Sequence, residues 1–182
     1  MTVYSYGTTG DANDRLSRIS CIGDGTDAHA TYQYLGTGTI VTEDYGDPNE
    51  TNRPKVRLDY TGTDHSYSGF DRFGRIADQL WRDYGNSQDA DRFQYGYDRV
   101  GNRTWKENTV SSGTVDLDEL YDYDDLYQLI AADRGQLTGH PSTPAISSPD
   151  FEQDWTLDGL GNWSAFDDDG DSQTRDHNAA NE

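Results

Sequence analysis

A nine-residue pattern recurs along the chain and restricts it to folds that are built from repeated small units. Its clearest copy, Tyr-Gly-Tyr-Asp-Arg-Val-Gly-Asn-Arg, occupies residues 95–103. Five other copies, the first two of them weaker, lie at residues 4–19, 32–38, 68–76, 121–129 and 155–163. The positions equivalent to the aspartate of the pattern are 7, 35, 71, 98, 124 and 158, so that successive copies are 28, 36, 27, 26 and 34 residues apart. Such a period indicates an array in which one unit alone cannot bury its apolar face.

Each copy of the pattern predicts a β-hairpin. The Tyr-x-Tyr spacing places both rings on one face of a strand. Asp-x-x-Gly suits a type I turn followed by a left-handed residue, which together make a three-residue loop with a glycine bulge. The predicted structural turn positions are Asp71, Gly74, Asp98, Gly101, Asn102, Asp124, Asp158, Gly161 and Asn162.

The hairpin register predicts which residues face each other across each pair of strands. If Asp98 and Asn102 flank the loop, Tyr97 faces Arg103 and Tyr95 faces Trp105. The same register predicts the pairs Phe70 with Ile76, Tyr123 with Leu129, and Leu157 with Trp163. Large side chains then lie on one face of the ribbon and mostly small or polar ones on the other, with aromatic cross-strand pairs contributing about 0.2–1 kcal/mol each.

The amino-acid composition, taken alone, suggests a disordered chain and not a folded array. The net charge is −20, and Leu, Ile, Val and Phe together make only 28 of 182 residues, which is typical of a disordered chain. However, aromatic residues make 12% of the chain, and Asp outnumbers Glu by 28 to 6, which favours strands and turns over helices. We therefore predict an all-β array of antiparallel hairpins. The charge argues against nucleic-acid binding, and no apolar run approaches the roughly 20 residues of a membrane helix.

The chain is predicted to be a single repeat region with no helix longer than two turns. The six units are predicted at residues 1–31, 32–66, 67–93, 94–119, 120–150 and 151–182. The joins between them are loops, of which the largest, residues 138–149, holds three of the five prolines. Residues 76–84 are the only mildly helical stretch, and they also fit a return strand.

The recurring Tyr-x-Tyr-Asp-x-x-Gly-Asn-Arg pattern resembles the YD repeat of the RHS family. Residues 17–19, 73–76 and 177–182 also resemble RHS sequences, and the resemblance covers nearly the whole chain. It implies a long β-sheet that spirals into a hollow shell. Bacterial RHS toxins and the C components of insecticidal toxin complexes enclose a toxic C-terminal domain in such a shell, and teneurins use a similar barrel for adhesion at cell surfaces.

This chain departs from the family pattern in ways that indicate a segment of a larger RHS protein. Six units are fewer than a closed shell needs. No terminal DPxG-type self-cleavage motif is present, because Asp47-Pro48 is followed by Asn49, and no effector domain follows residue 182. The resemblance implies a secreted or cell-surface location, although no signal peptide is visible. The expected partners are neighbouring repeats of a longer chain and an enclosed toxin domain, with glycans as a further candidate ligand.

The sequence offers two candidate ligand sites. Asp167, Asp169 and Asp171 alternate as Ca²⁺ ligands would, but the glycine is at the fourth position of the run and no Glu follows at the twelfth, so a solvated turn is favoured and no cofactor is expected. Tyr95, Tyr97 and Trp105 could form an aromatic strip that stacks on sugar rings, but cross-strand packing of the rings is favoured.

Catalysis is not expected. The histidines at positions 29, 65, 140 and 177 lie in separate contexts without a metalloenzyme pattern, and Cys21 is the only cysteine and has no adjacent base. Carboxylate pairs are explained by the abundance of acids. The predicted function is therefore a non-catalytic shell segment. The alternatives are a cell-surface adhesion or carbohydrate-binding repeat, and a fragment that does not fold alone.

Overall fold

The computed structural model describes residues 1–6, 18–24, 27–36, 38–46, 55–62, 66–111 and 116–178. These residues form strands and turns and no helix, so none of them belongs to a helix that could cross a bilayer. The predicted first turn at Gly7, the segment 47–54, His65 and residues 179–182 lie outside this description. The strands are β1 Val3–Tyr6, β2 Ile19–Gly23, β3 Ala28–Leu35, β4 Thr39–Tyr45, β5 Val56–Asp59, β6 Asp78–Asp83, β7 Gln88–Tyr97, β8 Arg103–Asn108, β9 Asp118–Tyr123, β10 Leu129–Gly135, β11 Leu137–Thr138, β12 Ala145–Ile146, β13 Phe151–Leu157, β14 Trp163–Asp168 and β15 Asp171–Thr174.

The strands follow one another in the sheet in the order of the sequence. Among the described residues, thirteen strands run from β1 to β10 and then from β13 to β15, while β11 and β12 form a separate two-stranded hairpin. The registers resolved between neighbouring strands are all antiparallel. The chain divides into two compact units, residues 1–93 and 94–182, and the division falls within β7. The prediction of an all-β array of antiparallel hairpins is confirmed, and the stretch with mild helical character contains strand β6.

The predicted pairs next to the turns are present. Phe70 pairs with Ile76, Tyr123 with Leu129, and Leu157 with Trp163. Beyond that first pair the predicted register is wrong, because the return strand contains one extra residue. Asp122 therefore faces Ala131 instead of Ile130, and Thr156 faces Ala165 instead of Ser164.

The same bulge recurs from hairpin to hairpin, one pair away from the turn. In the first hairpin Tyr6 pairs with Ile19 and Ser5 pairs with Cys21, so one residue of β2 has no partner. In the second hairpin Tyr34 pairs with Ile40 and Gln33 pairs with Thr42, so one residue of β4 has no partner. An extra residue moves every following side chain of that strand to the opposite face, because side chains alternate with a period of two. Ala77 and Asp78 both donate backbone hydrogen bonds to the Gly69 carbonyl, which is the same two-against-one arrangement.

The two faces of the sheet in residues 94–182 differ in chemistry. One face, which we call the aromatic face, carries Tyr121, Tyr123, Phe151, Trp155, Trp163 and Phe166 together with Lys106, Glu119 and Arg134. The opposite face, which we call the acidic face, carries Asp118, Asp122, Asp133, Glu152, Asp154 and Asp167. The described strand positions of β9, β10, β13 and β14 place no lysine or arginine on the acidic face. Within these strands of residues 94–182, the acidic face thus carries carboxylates without a compensating lysine or arginine.

The hydrophobic core is thin. The buried apolar side chains of the described residues are Ala30, Val41, Leu58, Tyr60, Trp105 and Leu137. In residues 1–93, Tyr60 packs on Phe70 with ring centroids 4.7 Å apart, and Tyr45 stacks on Trp81. Side chains within each unit therefore pack on neighbours in the same sheet, which is the arrangement expected of a single-layered array.

Candidate functional site

Each predicted turn aspartate organises the loop that follows it. The Oδ1 atom of Asp98 accepts hydrogen bonds from the backbone N–H groups of Val100, Gly101 and Asn102 at 2.7–3.0 Å. Its Oδ2 atom accepts a further bond from the Asn102 side-chain amide at 2.9 Å. The Asp98 N–H in turn donates to the Asn102 carbonyl at 2.9 Å and closes the hairpin. We call this arrangement the aspartate clip.

The clip recurs at Asp71, Asp124 and Asp158 with the same donors. In each case Oδ1 accepts from the N–H groups two and four residues later, at 2.8–3.0 Å. The side chain four residues later completes the clip by donating to Oδ2. This donor is an asparagine at Asn102 and Asn162, a glutamine at Gln128 and an arginine at Arg75. The fifth position of the turn therefore requires a hydrogen-bond donor rather than a particular residue.

The residue before that donor has a left-handed backbone. Gly74, Gly101 and Gly161 have φ values of 77°, 106° and 84°. In the third clip Tyr127 occupies this position with a φ of 62°, which an L side chain rarely adopts. The turn thus forms even where the glycine is missing, because the aspartate clip supplies the same hydrogen bonds.

The hydrogen bonds of the clip affect the ionisation of the aspartates. At Asp158 the Asn162 side chain, and then the Leu160 N–H, hold the pKa of the carboxyl below its usual range. At Asp98 desolvation opposes the effect, but the N–H groups of Asn102 and Gly101 outweigh it and the pKa is also lowered. These carboxylates therefore favour the folded turn only while they are ionised.

Each clip also exposes one large apolar side chain at the tip of its turn, a feature that the Tyr-x-Tyr-Asp-x-x-Gly pattern does not itself predict. Phe73, Val100, Leu126 and Leu160 occupy the same position in the four loops and are 64%, 55%, 65% and 81% exposed. The sequence does contain a signal for this feature, because an apolar residue stands two positions after every clip aspartate.

The proposed aromatic strip of Tyr95, Tyr97 and Trp105 does not lie on one face. The Trp105 ring lies against Gly96, whose side-chain direction is opposite to that of Tyr95 and Tyr97, and only 7% of Trp105 is exposed. The Arg103 guanidinium instead lies over the Tyr95 ring at 4.3 Å from its centroid. A one-residue bulge like those after the Asp124 and Asp158 turns accounts for this position, because it would carry Trp105 to the other side of the sheet.

A polar cluster on the aromatic face is centred on Glu119. Its carboxylate lies 3.3 Å from Lys106 Nζ and 3.4 Å from an Arg134 guanidinium nitrogen, and it accepts a hydrogen bond from the Tyr121 hydroxyl. Burial, followed by this bond to Glu119, raises the pKa of Tyr121. The guanidinium of Arg134 also lies over the Phe151 ring, so this cation contacts both a carboxylate and an aromatic side chain.

The acidic run considered for Ca²⁺ forms a tight turn between β14 and β15. Asp169 and Gly170 both have positive φ, at 54° and 91°, as a two-residue hairpin turn requires. The carboxylate of Asp167 accepts bonds from the Gly170 N–H at 2.8 Å and from the Ser172 hydroxyl. Within the described parts of the chain, no three or more His, Cys, Asp or Glu side chains come together in a way that could hold a metal ion.

The remaining candidate residues lie apart from one another. Cys21 is a half-buried free thiol in β2, and His29 lies 3.8 Å from Asp24. His140 contacts Glu107 at 3.3 Å and tilts against the Trp105 ring with centroids 5.0 Å apart.

Comparison with known proteins gives the fold a precedent. No family model and no curated protein sequence matches the chain. Two solved structures match it along almost its whole length. One is the Tc holotoxin pore of Photorhabdus luminescens, which covers 95% of this chain with a TM-score of 0.63 and 17% identity. The other is the TcdB2–TccC3 crystal structure, which covers 94% with a TM-score of 0.61 and 18% identity.

The matched region is a small part of those proteins, since it spans 8% of the length of either matched chain. At this level of identity the comparison establishes the fold, and it agrees with the repeat pattern found in the sequence. The chain shares the open antiparallel β-sheet of these Tc toxin structures, and the predicted all-β fold of consecutive antiparallel hairpins is confirmed.

Proposed function

We propose that this chain is a structural, non-catalytic segment of an RHS-type β-shell that encloses and delivers another protein domain. The observation that carries the proposal is the strand order, in which each hairpin pairs with the next one along the chain. Such an array is extended by adding hairpins to its first and last strands, which removes its exposed edges. Its partners are neighbouring repeats of a longer chain and an enclosed toxin domain, at a secreted or cell-surface location.

The difference between the two faces supports an orientation within such a shell. A carboxylate is most stable in contact with bulk water, whereas aromatic rings gain by contact with another protein surface. The acidic face therefore points to solvent, and the aromatic face, with Arg134 and Lys106 among its rings, points to the enclosed domain. The six predicted repeat units and the clip residues serve this function by fixing the curvature and register of the sheet.

Protection from proteolysis tests the proposal. The complete protein that contains these residues is treated with a nonspecific protease, and cleavage of the segment after the repeats is compared with cleavage of the same segment expressed alone. A shell predicts that the segment is cut much more slowly in the complete protein. Equal rates of cleavage would overturn the proposal.

A matched pair of variants makes the test specific to the shell. Simultaneous loss of two clips, in Asp98→Ala with Asp158→Ala, should speed cleavage of the enclosed segment. Asp125→Ala, which changes an exposed turn residue outside the clip, should not. Acceleration by both variants alike would count against enclosure by the sheet.

A further inference from the structure

The insertion between the fifth and sixth copies of the repeat folds back onto the acidic face. Residues 137–146, which we call the strap, contain the hairpin of β11 and β12. The strap is fixed at its base by Asp118, a buried carboxylate that accepts one hydrogen bond from the Leu137 N–H at 3.1 Å and another from the Asn108 N–H at 2.8 Å. At its other end, the Ile146 side chain lies over Gly135, where an added Cβ would come within 3.1 Å of it.

His140 makes the contact between the strap and strand β8. Its ring tilts against Trp105, and its Nε2 atom is 3.3 Å from Glu107 Oε1. Both side chains of the pair are about three-quarters buried, with exposed fractions of 25% and 22%. The strap thus covers Trp105, which explains why this indole is buried in a sheet with so thin a core.

His140 contacts the carboxylate of Glu107, and the strands next to it carry further carboxylates on the same face. Glu107 on β8, Asp118 on β9 and Asp133 on β10 all lie on the acidic face against which the strap packs. Histidine side chains change charge between about pH 5 and 8, whereas carboxylates ordinarily remain ionised over most of that range. A protonated His140 therefore faces a negatively charged surface, whereas a neutral one keeps its contacts with Glu107 and Trp105 without the attraction between charges.

We propose that the strap is an acid-tightened latch, in which protonation of His140 beside Glu107 closes residues 137–146 over Trp105. The direction of the pH dependence follows from the negative charge of Glu107. Because a charged imidazole beside Glu107 gains an attraction that exists only in the closed state, closure is favoured at low pH and weakens as the pH rises. The inference does not depend on the proposed shell function.

Hydrogen exchange of the full chain between pH 5.5 and 8.0 tests this proposal. After correction for intrinsic chemical exchange, the amides of Leu137 and Thr143 should be about two- to five-fold better protected at the lower pH, as expected for a partly buried ion pair. Peptides from β13 and β14 serve as an internal reference for global opening. Equal strap protection at both pH values, relative to that reference, would overturn the proposal.

Two variants identify the groups responsible. Glu107→Gln keeps the size of the side chain but removes its charge, and it should abolish the extra protection at low pH. Glu152→Gln makes the same charge change elsewhere on the acidic face and should retain it. If Glu107→Gln keeps the full pH dependence, or if Glu152→Gln loses it equally, the latch is wrong and general charge repulsion explains the effect.

Discussion

The indole of Trp105 lies so close to Gly96 that a Cβ atom added to the glycine would be 1.9 Å from Nε1 and 2.3 Å from Cε2. The strap packs on the same ring through His140, whose ring centroid is 5.0 Å from that of Trp105. Gly96 has an ordinary strand backbone, so its glycine is not required by backbone conformation. It is required because the Trp105 ring occupies the space of a side chain.

Replacing Gly96 by alanine should destabilise the protein. The methyl group must displace the tryptophan ring, which is held by His140 and the strap, and overpacking of this kind costs about 1–3 kcal/mol. Urea unfolding followed by circular dichroism measures the loss. Gly159→Ala is the matched control, because a Cβ at Gly159 meets nothing within 4 Å, and it should leave the midpoint nearly unchanged. Equal midpoints for Gly96→Ala and the unmodified chain would show that the ring moves freely.

Tyr127→Gly should stabilise the protein, although it removes a large side chain. Tyr127 is 58% exposed and holds the left-handed position of its turn with a φ of 62°. Glycine adopts this conformation without the steric penalty, which is about 1 kcal/mol for a residue with a Cβ. Thermal unfolding should therefore shift upward by a few degrees.

The reciprocal exchange provides the control for that prediction. Gly101→Ala introduces a Cβ at a φ of 106° in the equivalent turn and should destabilise by a similar amount. If both variants shift the melting temperature in the same direction, backbone conformation does not determine the stability of these turns.

Stability should fall in acid because the clip aspartates must be ionised. The pKa values of Asp98 and Asp158 are lowered in the folded chain, so their contribution is complete above the ordinary aspartate pKa and is lost as the pH falls from about 4 toward the lowered values. Asp98→Asn should therefore be less stable than the unmodified chain at pH 7 and should lose less stability between pH 4 and pH 2.5. Unfolding curves at those three pH values measure both effects. Parallel losses in the two proteins would contradict an ionised clip.

Asp133→Asn should stabilise the protein at neutral pH. Desolvation, followed by the nearby charges of Asp154 and Asp122, raises the pKa of Asp133, so its ionised form is unfavourable in the folded state. Because the group is partly exposed, we expect a gain of a few tenths of a kcal/mol, which disappears as the pH falls and the carboxyl becomes protonated. Asp125→Asn removes the same charge from an exposed turn and serves as the comparison. A gain of the same size in both variants would indicate a net-charge effect only.

Local turn chemistry was predictable from the sequence, whereas the register beyond it was not. Asp98 and Gly101 predict the loop, and the first pair on each hairpin follows from the loop length. The extra residues, Ile130 and Ser164, cannot be recognised from their residue types. A bulge depends on the hydrogen bonds between two strands, which the sequence of one strand does not determine. The face occupied by Trp105 was therefore predicted wrongly.

The docking of the strap could not be predicted either. Its prolines indicate a loop, but its position depends on the buried carboxylate of Asp118, which is far from it in the sequence and looks like any other acid of this chain. Similarly, Tyr127 stands where the other turns have glycine. The hydrogen bonds that Asp124 accepts show that this turn nevertheless has the same shape as the others.

The order of the strands has a consequence for how such a chain acquires its structure. Each strand pairs with its neighbours in sequence, and the clipped hairpins close loops of only three residues, so most contacts form between residues that are synthesised within moments of each other. A sheet of this kind can assemble progressively from its first hairpin while the rest of the chain is still emerging, and the same geometry lets it be drawn apart one hairpin at a time under a pulling force.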